Sequence, residues 1–259
     1  MENLSRAELK RLRALRLKKS RRGDTEIIVE GVRACEAICQ AQAQPRLALV
    51  TADACAGERV RRTLDALASR GARLLLASAE DIQALADAET AQGLLAVCAW
   101  RERSVEDLVR QPPTPLVALD RVSDPGNAGS ILRAADWFGA GGLVAGAGSA
   151  DLLNPKAIRA AAGSIFNVPL WRGVDLPDTL RRLQGAGFRV VAATPRGRPA
   201  WRAWRRDPCV LVLGNEGHGL SPEVETLADD LVAVPGRGRA ESLNAAMAAT
   251  VLLAGGLAG

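Results

Sequence analysis

Residues 116–139, with the sequence LVALDRVSDPGNAGSILRAADWFG, decide how the second half of the chain folds. An apolar run from Leu116 to Leu119 leads into a turn rich in proline and glycine, and then into a segment with helical spacing. A buried strand that passes through a short turn into a helix is the unit from which parallel sheets are built. The stretch therefore predicts an α/β domain with a parallel sheet.

Further apolar runs support this prediction. They have the character of buried strands, are separated by helical or glycine-rich segments, and cover Gly142 to Val144, Phe188 to Ala192, Cys209 to Leu213 and Leu231 to Val234. Continuous apolar strands that alternate with helices are typical of a parallel sheet covered on both faces. We expect one such domain over residues 116–259.

The first half of the chain predicts a smaller α/β domain over residues 25–100. Its expected strands are 27–29, 47–50, 73–76 and 93–98, and its expected helices are 32–42 and 58–69. A leucine- and arginine-rich segment, residues 1–24, precedes it and predicts a basic helix on the surface, resting on RNA or on the protein itself. Charged residues and three prolines in residues 101–115 predict a linker.

The net charge of +5 is carried almost wholly by arginine, because the only lysines are Lys10, Lys18, Lys19 and Lys156. Guanidinium groups bind phosphate oxygens in pairs and stack on bases, which suits RNA. A codon preference explains the arginine content equally well. The basic clusters, Arg11 to Arg22, Arg196 to Arg206 and Arg237 to Arg239, are local enough to predict contact surfaces.

The five cysteines are odd in number, scattered and without CxxC spacing, so they predict reduced core residues. Cys35 and Cys39 stand four apart, but no second ligand pair accompanies them, and we expect no metal site. The chain has no run of eighteen apolar residues and begins with charged residues instead of a secretory signal. These features favour a cytoplasmic protein without a membrane span.

Polar residues of unusual spacing follow the first and fourth strands of the second domain. In a parallel sheet such loops carry ligand sites. Asn127 stands where a helix cap is expected, Gly129 permits close approach of another backbone, and Arg133 lies one to two turns into the helix. Glu216, in a turn framed by glycines, needs a partner, and Arg133 is the obvious candidate.

The remaining polar candidates have simpler interpretations when taken singly. His218, the only histidine, stands between two glycines and predicts an exposed loop residue, which gives little support to a Ser-His-Asp hydrolase. Ser242 precedes an alanine-rich segment and has the position of an ordinary helix cap. The chain also has no GxGxxG after its first strand, which weighs against a nicotinamide dehydrogenase.

Together the three loops resemble the SpoU, or TrmH, family of RNA ribose 2′-O-methyltransferases within the SPOUT class. The motifs that carry the resemblance are Asn127-x-Gly129-x-x-x-Arg133, Leu213-Gly214-Asn-Glu216-Gly217-x-Gly219-Leu220, and Pro235 followed by Ser242-Leu243-Asn244. Around Glu30-Gly31 and Thr90 to Gly93, the N-terminal half resembles the RNA-binding domain, similar to a ribosomal protein, that many members carry.

The resemblance implies a C-terminal SPOUT domain with a trefoil knot and S-adenosylmethionine as the cofactor. It assigns cofactor contacts to Thr194, Gly214, Val234 and Leu243, and catalytic roles to Asn127, Arg133, Glu216, Ser242 and Asn244. It implies no metal, an RNA substrate, with ribosomal RNA favoured over transfer RNA, and a homodimer through the catalytic domain. A catalytically inactive RNA-binding member of the same fold is the main alternative.

Overall fold

A computed structural model describes residues 1–17, 25–41, 43–199, 208–240 and 242–257. The chain divides into two compact units, Met1–Glu102 and Arg103–Gly259. Both units are α/β, as the sequence predicts. Among the described residues, no helix is long and apolar enough to cross a membrane.

The first unit contains one mixed sheet of five strands. These are β1 (Glu2–Asn3), β2 (Thr25–Glu30), β3 (Pro45–Val50), β4 (Arg73–Leu76) and β5 (Leu94–Trp100), in the order β1-β4-β3-β5-β2. Strands β1, β4 and β3 are parallel, whereas β5 is antiparallel to both β3 and β2. The helices are α1 (Arg6–Leu17), α2 (Val32–Gln40), α3 (Ala52–Cys55), α4 (Glu58–Ser69) and α5 (Ala79–Leu85).

The N-terminal segment is part of the first unit and not a separate basic arm. Leu12 of α1 is fully buried in the core of this unit, and Leu4, Leu9 and Leu15 pack against the same cluster. Leucines at helical spacing thus place α1 on the protein, because burial of these side chains stabilises the contact. Residues 18–24, which include half of the first basic cluster, lie outside the described residues.

Within the residues that the structure describes, the second unit contains six strands, all parallel. They are β6 (Leu116–Asp120), β7 (Gly142–Gly146), β8 (Leu170–Val174), β9 (Arg189–Arg198), β10 (Cys209–Gly214) and β11 (Asp230–Val232), in the order β11-β9-β10-β6-β7-β8. The helices are α6 (Val105–Arg110), α7 (Pro125–Trp137), α8 (Pro155–Ala161), α9 (Leu176–Gly185), α10 (Pro222–Leu227) and α11 (Ala245–Leu257), with a 3₁₀ turn at Ser164–Phe166. Strand β8 is an addition to the predicted elements.

Most of the predicted linker, residues 101–115, belongs to the second unit. Leu108 of α6 is fully buried in the core of that unit, and the indole Nε1 of Trp171 donates a hydrogen bond of 3.0 Å to the Ser104 carbonyl. Leu108 is the buried residue of α6 and Val105 packs against the core beside it, but the charged residues between and around them mask the helical pattern in the sequence. The link between the units is therefore much shorter than predicted.

The sheet order places the polar loops of the second unit side by side. From β6 the chain moves outward through β7 and β8, whereas β10, β9 and β11 lie on the other side of β6. Strands β6 and β10 are neighbours, and their last residues, Asp120 and Gly214, pair in register. Ligands of open α/β sheets bind at such a switch point, beyond the carboxyl ends of the strands.

The five cysteines are all free thiols, as predicted. Cys35, Cys98 and Cys209 are buried, and burial raises the pKa of Cys98 to about 12. A thiol that stays protonated is a poor nucleophile and a poor metal ligand. Within the described part of the chain, no group of three or more histidine, cysteine or acidic residues is placed to hold a metal ion.

Candidate active site

The loop after β6 begins α7 with an aspartate cap. The Asp124 carboxylate accepts a hydrogen bond of 2.8 Å from the Asn127 backbone N–H, and Pro125 occupies the first helical position. Asp124, not Asn127, is therefore the cap, which corrects the prediction. Because only the backbone N–H of Asn127 takes part in the cap, its side chain is free to contact residues of the other loops.

Glu216 is held by the loop after β6. Its carboxylate accepts hydrogen bonds from the Asn127 side-chain amide at 2.8 Å, from the Ser123 hydroxyl and backbone N–H at 3.2 Å each, and from the Asp124 N–H at 3.5 Å. The predicted pairing with Arg133 is wrong, because these neutral donors already satisfy the carboxylate. Glu216 thus links the loop after β10 to the loop after β6.

Asn244 completes a chain of contacts through all three motifs. Its Oδ1 caps α11 by accepting from the Ala246 and Met247 N–H groups at 2.9 and 3.4 Å, while its Nδ2 donates to Asn127 Oδ1 at 2.9 Å. The cap predicted at Ser242 is therefore formed by Asn244, and Ser242 is exposed. A continuous hydrogen-bonded path runs from Glu216 through Asn127 to Asn244.

A tight turn holds Glu216 in place. The backbones of Asn215 and Gly219 exchange two hydrogen bonds of 2.9 Å, and Asn215 Nδ2 donates to the Arg121 carbonyl at 2.8 Å. A Cβ on Gly214 would lie 2.6 Å from the carbonyl carbon of Gly219, so only glycine fits where the turn closes on the strand. His218 is exposed at the tip of this turn, as predicted.

Hydrogen bonding keeps the two carboxylates of the cluster ionised. Burial alone would raise the pKa of Glu216, but the hydrogen bonds from the Asn127 side chain and from the backbone of Glu216, Ser123 and Asp124 outweigh it and lower the pKa. The hydrogen bond from Lys156 lowers the pKa of Asp124, and the bond from the Asn127 N–H adds to the effect. Both groups therefore carry negative charge at neutral pH.

A cavity of about 700 Å³ lies beside this cluster, between the middle of β9, the end of β10 and the start of α11. All four predicted cofactor contacts, Thr194, Gly214, Val234 and Leu243, line it, as do Glu216 and Ser242. The lining is mostly glycine and apolar side chains with a few polar groups, the character of a site for a small organic ligand. Its volume falls in the range of such sites.

The predicted site residues thus form three sets: those that line the cavity, those of the hydrogen-bonded cluster, and Arg133. Asn127 and Asn244 belong to the hydrogen-bonded cluster and not to the cavity wall. Arg133 is exposed on α7, about 9 Å along the helix axis from Asn127, and no hydrogen bond or ion pair of its side chain is found within the described residues. Its guanidinium is available to a ligand outside the chain.

Sequence reasoning missed several residues of the cluster. Ser123 and Asp124 hold Glu216, Asn215 fixes the turn, and Lys156 forms an ion pair of 2.6 Å with Asp124. The Asp-Pro pair at 124–125 is a signal for the cap, since proline is favoured directly after an N-cap. The contacts of Asn215 and Lys156 leave no local signal, because their partners lie 94 and 32 residues away.

Comparison with known proteins agrees with this geometry. The family model described as SpoU rRNA Methylase matches residues 114–254, and the MRM3-like substrate binding domain matches residues 6–96. The first match spans all three motif loops. The chain belongs to the SpoU methylase family, a class of RNA methyltransferases, and carries a substrate-binding domain in front of the catalytic one.

Individual relatives cover most of the chain. It is 34% identical over 184 residues to the 23S rRNA guanosine 2′-O-methyltransferase RlmP of Bacillus subtilis, covering 71% of this chain and 72% of the relative. The structure resembles an AdoMet-bound rRNA methyltransferase from Sinorhizobium meliloti, with a TM-score of 0.82, 29% identity and coverage of 99% and 96% of the two chains. AviRb from Streptomyces viridochromogenes, also bound to AdoMet, gives 0.82, 29%, and 98% of both chains.

Proposed function

We propose that this enzyme transfers a methyl group from S-adenosylmethionine to a ribose 2′-hydroxyl of ribosomal RNA. The observation that carries the proposal is the hydrogen-bonded path Glu216–Asn127–Asn244 beside a glycine-lined cavity, in a chain of the SpoU methylase family. Two of the named relatives, RlmP and the enzyme from Sinorhizobium meliloti, are rRNA methyltransferases, which favours that substrate over transfer RNA.

The residues of the cavity fit S-adenosylmethionine. Gly214 contributes backbone to the cavity wall, Thr194 and Ser242 supply hydroxyl groups, and Leu243 adds an apolar surface. When bound, this cofactor supplies a methyl group made electrophilic by its sulfonium. We assign the cofactor contacts to Thr194, Gly214, Val234 and Leu243, and we expect a trefoil knot in the chain segments that surround them.

The acceptor side of the reaction is assigned to the exposed end of the cluster. An arginine side chain is a poor base, so we assign to Arg133 the role of orienting the ribose and its phosphate. Glu216 is also a weak proton acceptor, since its oxygens already accept hydrogen bonds from four donors. Its role is to fix Asn127, which with Ser242 and Asn244 positions the reacting groups.

The first unit is assigned to RNA recognition, because it matches a substrate-binding domain over residues 6–96. Its partner is RNA and not a membrane. We also propose a cytoplasmic location, on the ground that ribosomal RNA is the proposed substrate.

A homodimer through the catalytic unit is supported by the composition of α11. This helix of 13 residues contains no charged residue, and it packs against α7 and β10. Met247 and Val251, one turn apart, are 62% and 37% exposed, and Trp137 at the end of α7 is 83% exposed. A helix that is apolar on all sides is normally buried, and a second copy of this chain would cover the open face.

The dimer is tested by light scattering at micromolar concentration on the wild type and on Met247→Glu. We expect twice the chain mass for the wild type and a monomer for the variant, because a buried carboxylate without a partner opposes association. Thr226→Glu on the exposed part of α10 is the matched control and should stay dimeric. A monomeric wild type would rule out this interface.

The function itself is tested first by calorimetry with S-adenosylmethionine, S-adenosylhomocysteine and NADH. We expect the two adenosyl ligands to bind one per chain and NADH not to bind. An inactive RNA-binding member of the fold would bind RNA without methyl transfer. A chain that binds NADH but neither adenosyl ligand would refute the assignment of the cavity.

A further inference from the structure

Lys156 lies beside the motif cluster, which is the hydrogen-bonded group of Glu216, Asn127 and Asn244 with the loop residues that hold them. It belongs to none of the three motifs. Its Nζ lies 2.6 Å from the Asp124 carboxylate, and the side chains are 48% and 41% exposed, respectively. Asp124 is the cap of α7, and its other oxygen accepts from the Asn127 N–H. Lys156 is therefore the cation paired most directly with the loop that carries Asn127.

The positive charge of Lys156 lies near the N-terminal ends of two helices, where a cation is electrostatically unfavourable. Lys156 is the second residue of α8, after Pro155, where a cation opposes the helix dipole. It also lies against the first turn of α7, since a Cβ on Gly126 would be 3.2 Å from Lys156 Cε and 2.8 Å from Asp124 Oδ1. Both helix ends favour negative charge, and within the described residues Asp124 is the carboxylate that pairs with the lysine.

A residue in a position that is unfavourable for the fold points to a function such as ligand binding. An exposed lysine ion pair contributes little to stability, so it does not explain the arrangement. The first turn of α7 and the ammonium group together favour an anion with several oxygens. The anion present at the acceptor side of an RNA methyltransferase is a backbone phosphate.

We propose that Lys156 is a substrate-binding residue that holds a phosphate of the acceptor RNA strand beside the N-terminal end of α7, exchanging its contact with Asp124 for the phosphate. Arg133, one to two turns further along α7, is the second cation that we expect to contact the strand. The inference rests on the proposed function, because it takes RNA as the substrate.

Two substitutions separate phosphate binding from a structural role through Asp124. Lys156→Gln removes the charge, whereas Asp124→Asn keeps a capping oxygen and removes the competing carboxylate. If Lys156 binds phosphate, the first variant weakens RNA binding by about five- to tenfold, the second strengthens it, and Lys156→Arg retains it. If Lys156 only holds Asp124 in place, the first two variants lose activity together and RNA affinity stays unchanged.

The measurement is the affinity of the full chain for an unmodified transcript of 23S ribosomal RNA, at several salt concentrations. Lys156→Gln should lower the slope of log affinity against log salt by about 0.7 to 1, the loss of one phosphate contact. Affinity for S-adenosylmethionine should not change. Arg110→Gln is the matched control, because Arg110 also pairs with an aspartate, at 3.1 Å, but on α6, away from the motif loops.

The outcomes distinguish this inference from the proposed function. A wild type that methylates RNA, with an unchanged salt slope in Lys156→Gln, overturns the phosphate contact alone. A wild type that binds RNA but transfers no methyl group overturns the function, while the salt slope still decides the contact. An equal loss of slope in Arg110→Gln shows a general charge effect and also overturns the proposal.

Discussion

At the scale of single residues, the structure separates groups that hold the site from a group left open to substrate. Glu216 and Asn127 use their side-chain oxygens on neighbours within the chain. Arg133 is exposed, and no such contact is found for it in the described ranges. Substitution of the two kinds of residue should therefore have different consequences.

Arg133→Ala should lower single-turnover methyl transfer by orders of magnitude and leave the affinity for S-adenosylmethionine unchanged. The reason is that Arg133 is not part of the cavity wall and, in the proposed function, contacts the acceptor RNA. Lysine should rescue poorly, because a point charge lacks the planar fork of a guanidinium. Near wild-type transfer by Arg133→Ala would show that another residue meets the acceptor.

Glu216→Gln should impair both methyl transfer and cofactor affinity. The donors around Glu216 are shared between two carboxylate oxygens, whereas a glutamine side chain offers only one acceptor oxygen.

The contribution of Glu216 to stability depends on pH with a definite sign. The pKa of Glu216 is lowered in the folded state, so its stabilising contribution is present above the unfolded pKa and is lost as pH falls through the folded value. Melting curves of wild type and variant should differ at pH 7 and converge in acid.

At the scale of elements, the sequence predicted the positions of the strands better than the side-chain contacts between the loops that follow them. The apolar runs at 116–119 and 209–213 became β6 and β10 to within about a residue, because buried parallel strands are continuously apolar. The pairing of Glu216 with Asn127, which lie 89 residues apart, depends on sheet order, which no local pattern contains. The helix around Leu108 was missed because one buried leucine among charges gives no periodicity.

Asn244 caps α11 and donates a hydrogen bond to Asn127, and substitutions can separate these two roles. Asn244→Ala should lose the cap of α11, costing about 1 kcal/mol, and also the hydrogen bond to Asn127. Asn244→Asp keeps the capping oxygen but has no donor for Asn127. We expect the aspartate variant to keep its melting temperature and lose transfer. An aspartate variant with full activity would show that the Asn127 contact is dispensable.

Helix α7 crosses α8 at a glycine that has no room for a side chain. A Cβ on Gly129 would lie 2.2 Å from the Ala157 carbonyl oxygen, so Gly129→Ala should destabilise the chain by about 1–3 kcal/mol in denaturant unfolding. Gly185→Ala, at the end of α9 with nothing within 4 Å, is the control and should be neutral or slightly stabilising. Equal effects would mean that the crossing adapts.

At the scale of the whole molecule, we expect the second unit to bind the cofactor and the first unit to bind RNA. All lining residues of the cavity and all members of the motif cluster belong to Arg103–Gly259, whereas the substrate-binding match ends at residue 96. A chain that begins at residue 103 should therefore keep its affinity for S-adenosylmethionine and bind RNA more weakly. Calorimetry on the folded truncation tests this division, and loss of cofactor binding would contradict it.

The most direct test of the central claim is the product of the reaction. Unmodified 23S ribosomal RNA transcript is incubated with labelled S-adenosylmethionine and the enzyme, digested to nucleosides and analysed by mass spectrometry. We predict one labelled 2′-O-methyl nucleoside with the wild type and none with Arg133→Ala. A label on a base, or no label in any ribosomal or transfer RNA, would contradict the account of this enzyme as a ribose methyltransferase.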